Sequence, residues 1–527
     1  MKTSINEHDL PNDVEALKAL VLQLQSKLNQ QIIEIDCLRE KLHKQLLARF
    51  GRKSEKDLNG IVQLSIFDEA QAQDEQQAES IAKADESITV AAYERKKSTR
   101  KPLPKELPRE QMIHDLAAEE KVCACGGALH KIGEDKSEQL EWVPAQVKVI
   151  EHIRMKYGCR HCEEGVKTAT LPAQPIPKSI ATPGLLAEIM VSKFNNHLPL
   201  YRQEKILQNM GVDICRATLS TWMLKAATIF LPLINVLKEH MLAGHYMQVD
   251  ETTTQVMKEL GRENTSTSYM WVFKGGPPGQ HGVIFQYHPT RSGEVAANFL
   301  GDFQGALQCD GFSGYYRFDG IPRIALYYCW AHARRYFADI VKSLGKNKRG
   351  KAHVAIDFIA RLYGVEKRAR EKLLNFDQRQ ALRQQESLPV LLQFKEWLDK
   401  SVNEVPPQSA IGRAIAYTLN HWHYLVTYIN NGEIEIDNNL VENMIRPFAL
   451  GRRNWLFFGS PEGAKAGSVI YSLLQTCKLH VVEPYAYFKY LLSELPKRQP
   501  QANLSDLLPQ FIDKALLLPA YSSSFLE

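Results

Sequence analysis

Three carboxylates stand at positions where a fold could bring them together, although they lie far apart in the chain. Asp250 ends the alternating run HYMQVD, and Asp310 ends the run ALQCD. Each run predicts a strand that delivers a carboxylate to the edge of a sheet. Glu442 follows the segment DNN, which is a helix-start signal. Because carboxylate oxygens are hard ligands that suit Mg²⁺ or Mn²⁺, these three side chains could hold metal ions.

Basic and aromatic residues follow Glu442 in the stretch NMIRPFALGRRNWLFFGS. The arginines are Arg446, Arg452 and Arg453. An arginine cluster behind a metal-holding carboxylate suits a site that binds a phosphate backbone. The alternative is an ordinary helix with an Asn/Asp cap and a Glu442–Arg446 ion pair. Pro447 and Gly451 are predicted to limit the helix.

The elements around these residues have a recognisable order. The sequence predicts three strands, a short helix, a strand that ends at Asp310, a fifth strand, and much later a helix that carries Glu442. This is the element order of an RNase H-like nucleotidyl-transfer core. Glu251 is expected on the opposite face of its strand from Asp250, and Asp437 is expected to cap the helix.

The interval between Asp310 and Glu442 is too long for a simple connection (442 − 310 = 132 residues). It must hold a domain of its own, and residues 332–430 read as mostly helical. Cys329 and His332 form a C-x-x-H pair at its start. As a metal site the pair lacks two partners, so we interpret it as a structural part of the core. Arg334 and Arg335, which follow, are expected to face phosphate.

Composition sets limits on the protein class. A chain of 527 residues with 44% hydrophobic and 24% charged residues should form several globular domains. Its net charge of +5 fits a nucleic-acid partner weakly. The start MKTSINEHDL shows no signal peptide, and the run IFLPLINVL is broken by Pro232 and Asn235 and too short to span a bilayer. Nine cysteines without an export signal indicate a reducing cytoplasm, where metal ligands are considered before disulfides.

Residues 13–50 carry apolar side chains at heptad spacing. One line consists of Leu17, Leu24, Gln31 and Leu38, and the other of Val21, Leu28, Ile35 and Leu42. Two sustained lines predict a coiled coil, although a helix packed on its own domain would give the same pattern. Residues 69–87 are polar and acidic, and residues 95–109 are basic and proline-rich, so they are predicted to form a largely disordered linker.

Two close cysteine pairs follow the linker. They are Cys123 with Cys125, and Cys159 with Cys162. This spacing predicts a structural four-cysteine zinc site, with the C-x-C pair tighter than the usual C-x-x-C. The alternative is a set of buried free cysteines.

Residues 180–240 read as helical and contain a predicted helix-turn-helix. Gln203–Met210 forms its first helix, Gly211 lies in its turn, and Arg216–Ala226 forms its second helix. The candidate DNA-contacting residues of the second helix are Arg216, Thr218, Ser220, Thr221 and Lys225. Any small helical bundle could show the same pattern.

Together these motifs resemble the insertion sequence 66 family of bacterial DDE transposases over nearly the full length. The segments that carry the resemblance are FGRKSEK, CGG…YGCRHC, HLPLYRQEKIL…TLSTW, VDETT, CDGFSGY, CWAHARR and DNNLVENMIRPFALGRRNWLFFGS. The resemblance implies an acidic triad of Asp250, Asp310 and Glu442. It also implies double-stranded DNA partners, namely the element's terminal inverted repeats and target DNA, with accessory proteins of the same element.

The sequence therefore predicts a multidomain α+β protein with an RNase H-like α/β core, a large all-α insertion, and a coiled-coil helix, a zinc module and a helix-turn-helix domain before the core. The boundaries are coiled coil 1–56, linker 57–110, zinc module 111–175, helix-turn-helix 176–240, core 241–331, insertion 332–430, core with Glu442 431–483 and C-terminal helix and tail 484–527.

The predicted activity is metal-dependent DNA cleavage and strand transfer by a homodimer or higher oligomer in the bacterial cytoplasm. The three carboxylates would hold two Mg²⁺ or Mn²⁺ ions per active site, and one Zn²⁺ would be structural. Two alternatives remain at this point. One is a zinc-containing DNA-binding regulator with an inactive nuclease core, and the other is a nuclease that cuts without strand transfer.

Overall fold

The computed structural model describes residues 13–25, 27, 31, 147–153, 155–158, 166–168, 171–343, 349–499 and 501–517. The chain divides into two compact units. The smaller unit spans residues 77–170, and the larger combines residues 1–76 with 171–527. In the smaller unit, strands β1 (Lys156–Gly158) and β2 (Val166–Thr168) pair antiparallel.

An N-terminal helix covers residues 14–25, within the predicted heptad region. Its apolar side chains remain accessible in the single chain, since Val21 is 58% and Leu24 is 44% exposed. Among the other heptad residues, Leu28, Ile35, Leu38 and Leu42 lie outside the described residues. The part that is described therefore leaves an apolar line uncovered.

Three helices precede the sheet, as the sequence predicts. They are α1 (Pro183–Phe194), α2 (Leu200–Asn209) and α3 (Arg216–Leu242). Thr182 caps α1 by accepting a hydrogen bond from the backbone N–H of Leu185. Helix α3 is far longer than the predicted Arg216–Ala226, because it continues through Pro232. The carbonyl of Thr228 loses its helical partner there, but Thr228 is exposed and water can satisfy that carbonyl.

Helix α3 is also long and apolar enough to cross a membrane by length and composition. In the structure it packs into the core, and its residues Leu219, Phe230 and Leu237 are fully buried. A core helix passes the same composition test, so this feature gives little evidence for a membrane span.

A mixed five-stranded sheet forms the centre of the larger unit. Its strands are β3 (Tyr246–Gln255), β4 (Thr267–Gly275), β5 (Gly282–His288), β6 (Gly305–Cys309) and β7 (Ile324–Tyr328). Their order across the sheet is β5-β4-β3-β6-β7. The first three strands pair antiparallel, and β6 and β7 join parallel to β3. Helix α4 (Gly293–Leu300) connects β5 to β6.

Both faces of the sheet are covered. On one face, Phe285 of β5 lies 5.6 Å from the ring of Tyr471 and 6.2 Å from that of Phe448. On the other face, Phe273 of β4 stacks on Phe299 of α4 at 3.7 Å. Because Phe273 and Phe285 lie on opposite faces of paired strands, the core is layered helix–sheet–helix.

The described chain between β7 and residue 430 is helical, as predicted for the insertion. Its helices are α5 (Trp330–Ser343), α6 (Lys351–Glu371), α7 (Phe376–Leu382), α8 (Leu388–Val402), α9 (Ala410–Asn420) and α10 (Trp422–Val426). A buried ion cluster joins α6 to the following segment, with Arg383 and Arg379 both bonded to Glu366. Arg383 also donates to the carbonyl of Ile434 at 2.8 Å. The insertion is thus fastened to the segment that leads into the next helix.

The chain then returns to the sheet through α11 (Asn439–Trp455), α12 (Pro461–Leu479) and α13 (Pro484–Glu494). The prediction that Pro447 and Gly451 limit α11 is wrong, because both lie inside the helix. Pro447 leaves the carbonyl of the exposed Asn443 to solvent. Gly451 serves close packing, since a Cβ there would lie 2.8 Å from the hydroxyl of Tyr471.

Candidate active site

Asp250 and Asp310 are brought together by the register of two parallel strands. Gln248 of β3 is paired with Gln308 of β6, and each aspartate follows its glutamine by two residues. Since side chains two residues apart lie on the same face of a strand, both carboxylates emerge side by side beyond the pairing. One oxygen of each lies within 4.8 Å of the other.

Glu251 also reaches this cluster, which the sequence did not predict. As expected from alternation, its side chain takes different partners from Asp250, namely the hydroxyl of Tyr315 and Arg291, each at 2.5 Å. One of its carboxylate oxygens nevertheless lies within 4.8 Å of those of Asp250 and Asp310. Glu251 thus alternates with Asp250 along β3 as expected, and the approach of its carboxylate to the cluster is the part that the sequence did not predict.

The segment before α11 is fixed to the sheet by buried amides. Gln248 donates to Gln308 at 2.7 Å, and Gln308 donates to the carbonyl of Glu435 at 2.7 Å. Asn438, fully buried, donates to the carbonyl of Val249 at 3.1 Å. These bonds place the start of α11 beside Asp250, which lies in the middle of β3 and not at its end as the sequence predicted, because β3 continues to Gln255.

Asp437 lies one residue before the N-cap of α11, which is Asn438, so the prediction that Asp437 itself caps the helix is wrong. Its carboxylate accepts the backbone N–H of Asn439 at 3.1 Å and the hydroxyl of Tyr363 at 2.8 Å. The two carboxylate oxygens of Asp437 thus accept hydrogen bonds from a residue of α11 and a residue of α6. Asp437 therefore orients the helix start.

Glu442 lies in the first turn of α11 and is only 5% exposed. Its Oε1 is 3.8 Å from Nδ1 of His332, and its Oε2 is 3.8 Å from a guanidinium nitrogen of Arg335. Cys329 belongs to the same group, because its sulfur and one ligand atom each of His332 and Glu442 lie within 4.8 Å of one another. Glu442 thus sits against the C-x-x-H pair, adjacent to the Asp250–Asp310 carboxylates.

Burial and mutual repulsion perturb the acidic groups. Burial, followed by the charges of Glu442, Glu251 and Asp310, raises the pKa of Asp250 well above its usual value. Burial likewise raises the pKa of Asp310 and of Glu442, against the opposing charge of Arg335. Concentrating this much buried negative charge is unfavourable unless a cation compensates it.

His332 is neutral at physiological pH. Burial, with the charges of Arg335 and Arg291, lowers the pKa of His332 to about 3. A neutral imidazole is the form that can accept a hydrogen bond or ligate a metal. It faces a carboxylate that is itself buried.

The predicted phosphate-facing arginines differ in their accessibility. Arg334 is 5% exposed and points into the protein, whereas the side chain of Arg335 is 47% exposed beside Glu442. Arg453 is exposed and Arg446 is half-buried. Arg452 is half-buried and donates to the hydroxyl of Thr253 at 3.1 Å. Of the C-x-x-H arginines, only Arg335 is presented to solvent.

The helix-turn-helix candidates lie on α3 after a short turn from α2. The exposed residues are Arg216, Ser220, Thr221 and Lys225, and Thr218 is half-buried. Glu204 of α2 accepts the backbone N–H of Arg216 at 3.0 Å and so fixes the angle between the helices. The zinc candidates Cys123, Cys125, Cys159 and Cys162 lie outside the described residues.

The sequence analysis missed the buried pair Gln248 and Gln308, although the sequence contains a signal for it. The tetrapeptides MQVD and LQCD repeat one pattern, with glutamine two residues before aspartate. That repeat places a polar amide inside a predicted sheet core, where it needs a partner. The pairing of Gln248 with Gln308 could have been inferred from it.

Family comparisons cover most of the chain. Residues 178–466, more than half of the 527 residues, match the profile described as Transposase IS66 family. Residues 120–163 match a zinc-finger binding domain of transposase IS66, and residues 472–510 match an IS66 C-terminal element. Residues 37–112 match a profile described as Transposase C of IS166 homeodomain, which spans the predicted boundary between coiled coil and linker.

Curated relatives come from the bacterium Sinorhizobium fredii. The protein y4jD is 36% identical over 422 residues, which cover 77% of this chain and 81% of the relative. The protein y4hP is 31% identical over 505 residues, 91% of this chain and 88% of the relative. The names of these relatives assign them no activity. The profile match and these identities over most of both chains show that the chain belongs to the IS66 transposase family.

Proposed function

We propose that the chain is a DNA transposase that cleaves and joins phosphodiesters at a DDE site formed by Asp250, Asp310 and Glu442. The observation that carries this proposal is the convergence of the three carboxylates from separate segments. Two arrive by the register of β3 and β6, and the third arrives on α11, which is anchored to β3 by Asn438. A structural role alone gives no reason to gather buried acids at one place.

The sheet supports an RNase H-like core. Three antiparallel strands are followed by two parallel ones in the order β5-β4-β3-β6-β7. The first aspartate lies on the central strand and the second follows the adjacent parallel strand. Similar fold architectures host many activities, so the proposal depends on the carboxylates and on the family, with the fold as its frame.

The donor set fits divalent metal ions. Asp250, Asp310 and Glu442 offer oxygen ligands, and Oε1 of Glu442 is buried with no hydrogen-bond partner in the described part of the chain. Oxygen ligands suit Mg²⁺ or Mn²⁺, and we propose two ions per active site. Bound ions would lower the pKa of an attacking water or DNA 3′-hydroxyl and stabilise the leaving oxygen.

Arginines at the site are placed to hold DNA. Arg291 pairs with Glu251 and Asp310 and stacks on the ring of Phe312 at 4.0 Å. Arg335 stands half exposed at the Glu442 side. Since guanidinium groups bind phosphate oxygens in a fixed geometry, these two residues would position the DNA backbone over the carboxylates. Arg452 and Arg453 would extend that contact along α11.

The other modules supply recognition and assembly in this proposal. The exposed residues at the start of α3 would contact the terminal inverted repeats. Residues 120–163 include all four cysteine ligands proposed for one structural zinc ion. The exposed Val21 and Leu24 suit a coiled coil with a second copy. A protein acting on the element's DNA would work in the bacterial cytoplasm, with accessory proteins of the element as further partners.

Strand transfer with purified full-length protein, Mg²⁺ and the element's own ends tests the proposal. Asp250→Asn, Asp310→Asn and Glu442→Gln should each abolish cleavage and joining with little loss of DNA binding. Asp302→Asn is the matched control, because Asp302 precedes β6 at the end opposite Asp310 and its side chain is fully exposed. Near-normal cleavage by a triad variant would remove that residue from the active site.

A further inference from the structure

The C-x-x-H pair gains a third potential ligand in the fold. Cys329 lies between the last residue of β7 and the first residue of α5. His332 follows three residues later, in the first turn of α5. Residues three apart at a helix start lie on one side. Glu442 arrives from α11, and the three ligand atoms lie within 4.8 Å of one another. The fold therefore supplies Glu442 as a third potential ligand for the pair.

The spacing of two of these atoms fits a shared ion better than a hydrogen bond. Nδ1 of His332 and Oε1 of Glu442 are 3.8 Å apart, which is too long for a hydrogen bond. Two ligands of one tetrahedral ion, each about 2.1 Å from it, lie roughly 3.4 Å apart. Both atoms are buried, and neither has a hydrogen-bond partner among the described residues. An ion between them would satisfy both.

The sulfur of Cys329 is arranged as a ligand of this kind. Its side chain is buried, and Sγ accepts the backbone N–H of Asn438 at 3.1 Å. Outer hydrogen bonds of this type orient a metal ligand. The same Asn438 ties α11 to β3, so one residue fixes both the sulfur and the helix that carries Glu442.

We propose that Cys329, His332 and Glu442 form a mixed sulfur, nitrogen and oxygen site for a transition-metal ion beside the Asp250–Asp310 carboxylates. The proposal rests on the proposed function, because Glu442 is shared between this site and the acidic triad. Three protein ligands leave a position open for water or substrate, as in catalytic rather than structural metal sites.

This ligand set selects a different ion from the acidic cluster. Thiolate and imidazole favour Zn²⁺ or Co²⁺ strongly over Mg²⁺, whereas Asp250 and Asp310 offer oxygen alone. Arg335 and Arg291 are cations near His332. Arg335 is 3.8 Å from the other oxygen of Glu442, and its side chain is half exposed and can turn to solvent. A thiophilic ion here would draw Glu442 away from the acidic pair, so Zn²⁺ in excess should inhibit DNA cleavage.

Cobalt(II) absorption of the full-length protein, loaded with only one equivalent of Zn²⁺ per chain to fill the proposed four-cysteine site, tests the Cys329 site without DNA. A thiolate ligand gives a sulfur-to-cobalt charge-transfer band. Cys329→Ser should remove the part of this band that belongs to the site, and His332→Gln should weaken Co²⁺ binding at least tenfold. The cysteines between residues 123 and 162 are unchanged in these variants, so the difference from wild type reports Cys329 and His332 alone.

Two controls make the result specific. Cys215→Ser changes an exposed free cysteine, and Asp310→Asn alters the acidic cluster, so both should retain the band. If Cys329→Ser does not fold, His332→Gln still decides the question, because that side chain is 19% exposed at a helix start. Unchanged cobalt spectra and affinity in His332→Gln would overturn the site. Since no DNA is present, this failure is distinct from a failure of the triad variants to lose cleavage.

Discussion

The buried glutamine pair offers a test of how the fold positions Glu442. Gln308 is fully buried, accepts hydrogen bonds from Gln248 and Tyr246, and donates to the carbonyl of Glu435. Gln308→Leu keeps a similar volume but removes all three bonds. The segment that leads into α11 then loses one of its ties to β6, and we expect Glu442 to shift relative to Asp250 and Asp310.

The cost can be worked from those contacts. Gln248 keeps its bonds to the Tyr246 hydroxyl and to the carbonyl of Asp437. Two groups lose a partner, the buried hydroxyl proton of Tyr246 and the partly buried carbonyl of Glu435, at about 1–3 kcal/mol each. The free energy of unfolding should fall by roughly 2–6 kcal/mol, which is less than the stability of most domains, about 5–15 kcal/mol. A displacement of about 1 Å in a catalytic group can cost about 100-fold in rate, so cleavage should fall at least tenfold.

Urea unfolding and DNA cleavage at a temperature where the variant remains folded measure the two effects. Gln286→Leu is the matched control, because Gln286 is a half-buried glutamine of the same sheet on β5. It should change cleavage by less than twofold. Wild-type cleavage by folded Gln308→Leu would show that the pair stabilises the sheet without positioning α11.

Three further predictions concern the other modules. Metal analysis of the full-length protein should find one structural zinc per chain, and Cys159→Ser with Cys162→Ser should lose it; unchanged zinc would contradict the four-cysteine assignment. Leu24→Lys with Leu28→Lys should weaken self-association in sedimentation, because burying each leucine contributes about 1.5–3 kcal/mol; an unaltered dimer would place the contact elsewhere. Arg216→Ala with Lys225→Ala should weaken binding to the element's ends and lower the salt dependence by about two phosphate contacts, whereas Lys367→Ala, an exposed lysine of α6, should not.

The sequence was informative where local pattern decides structure. Alternating runs that end in Asp250 and Asp310 predicted the two strands, and the helix-start signal before Glu442 predicted α11. The order of strands and helices along the core followed from the same kind of pattern. Each of these inferences depends on residues within a few positions of one another.

Local pattern failed where distant packing decides. Gly451 and Pro447 look like helix breakers, but the hydroxyl of Tyr471 requires a small residue at 451 and solvent accepts the carbonyl that Pro447 leaves. Glu251 alternates away from Asp250, yet its partners Tyr315 and Arg291 draw its carboxylate back to the cluster. Such outcomes depend on elements many residues away in the chain.

Anomalous scattering from Mn²⁺ in crystals of the full chain bound to its DNA ends tests the central claim most directly. The account predicts a manganese peak between the carboxylates of Asp250 and Asp310, next to the scissile phosphate, that is lost in Asp310→Asn. DNA bound at this face with saturating Mn²⁺ and no peak at these carboxylates would contradict it.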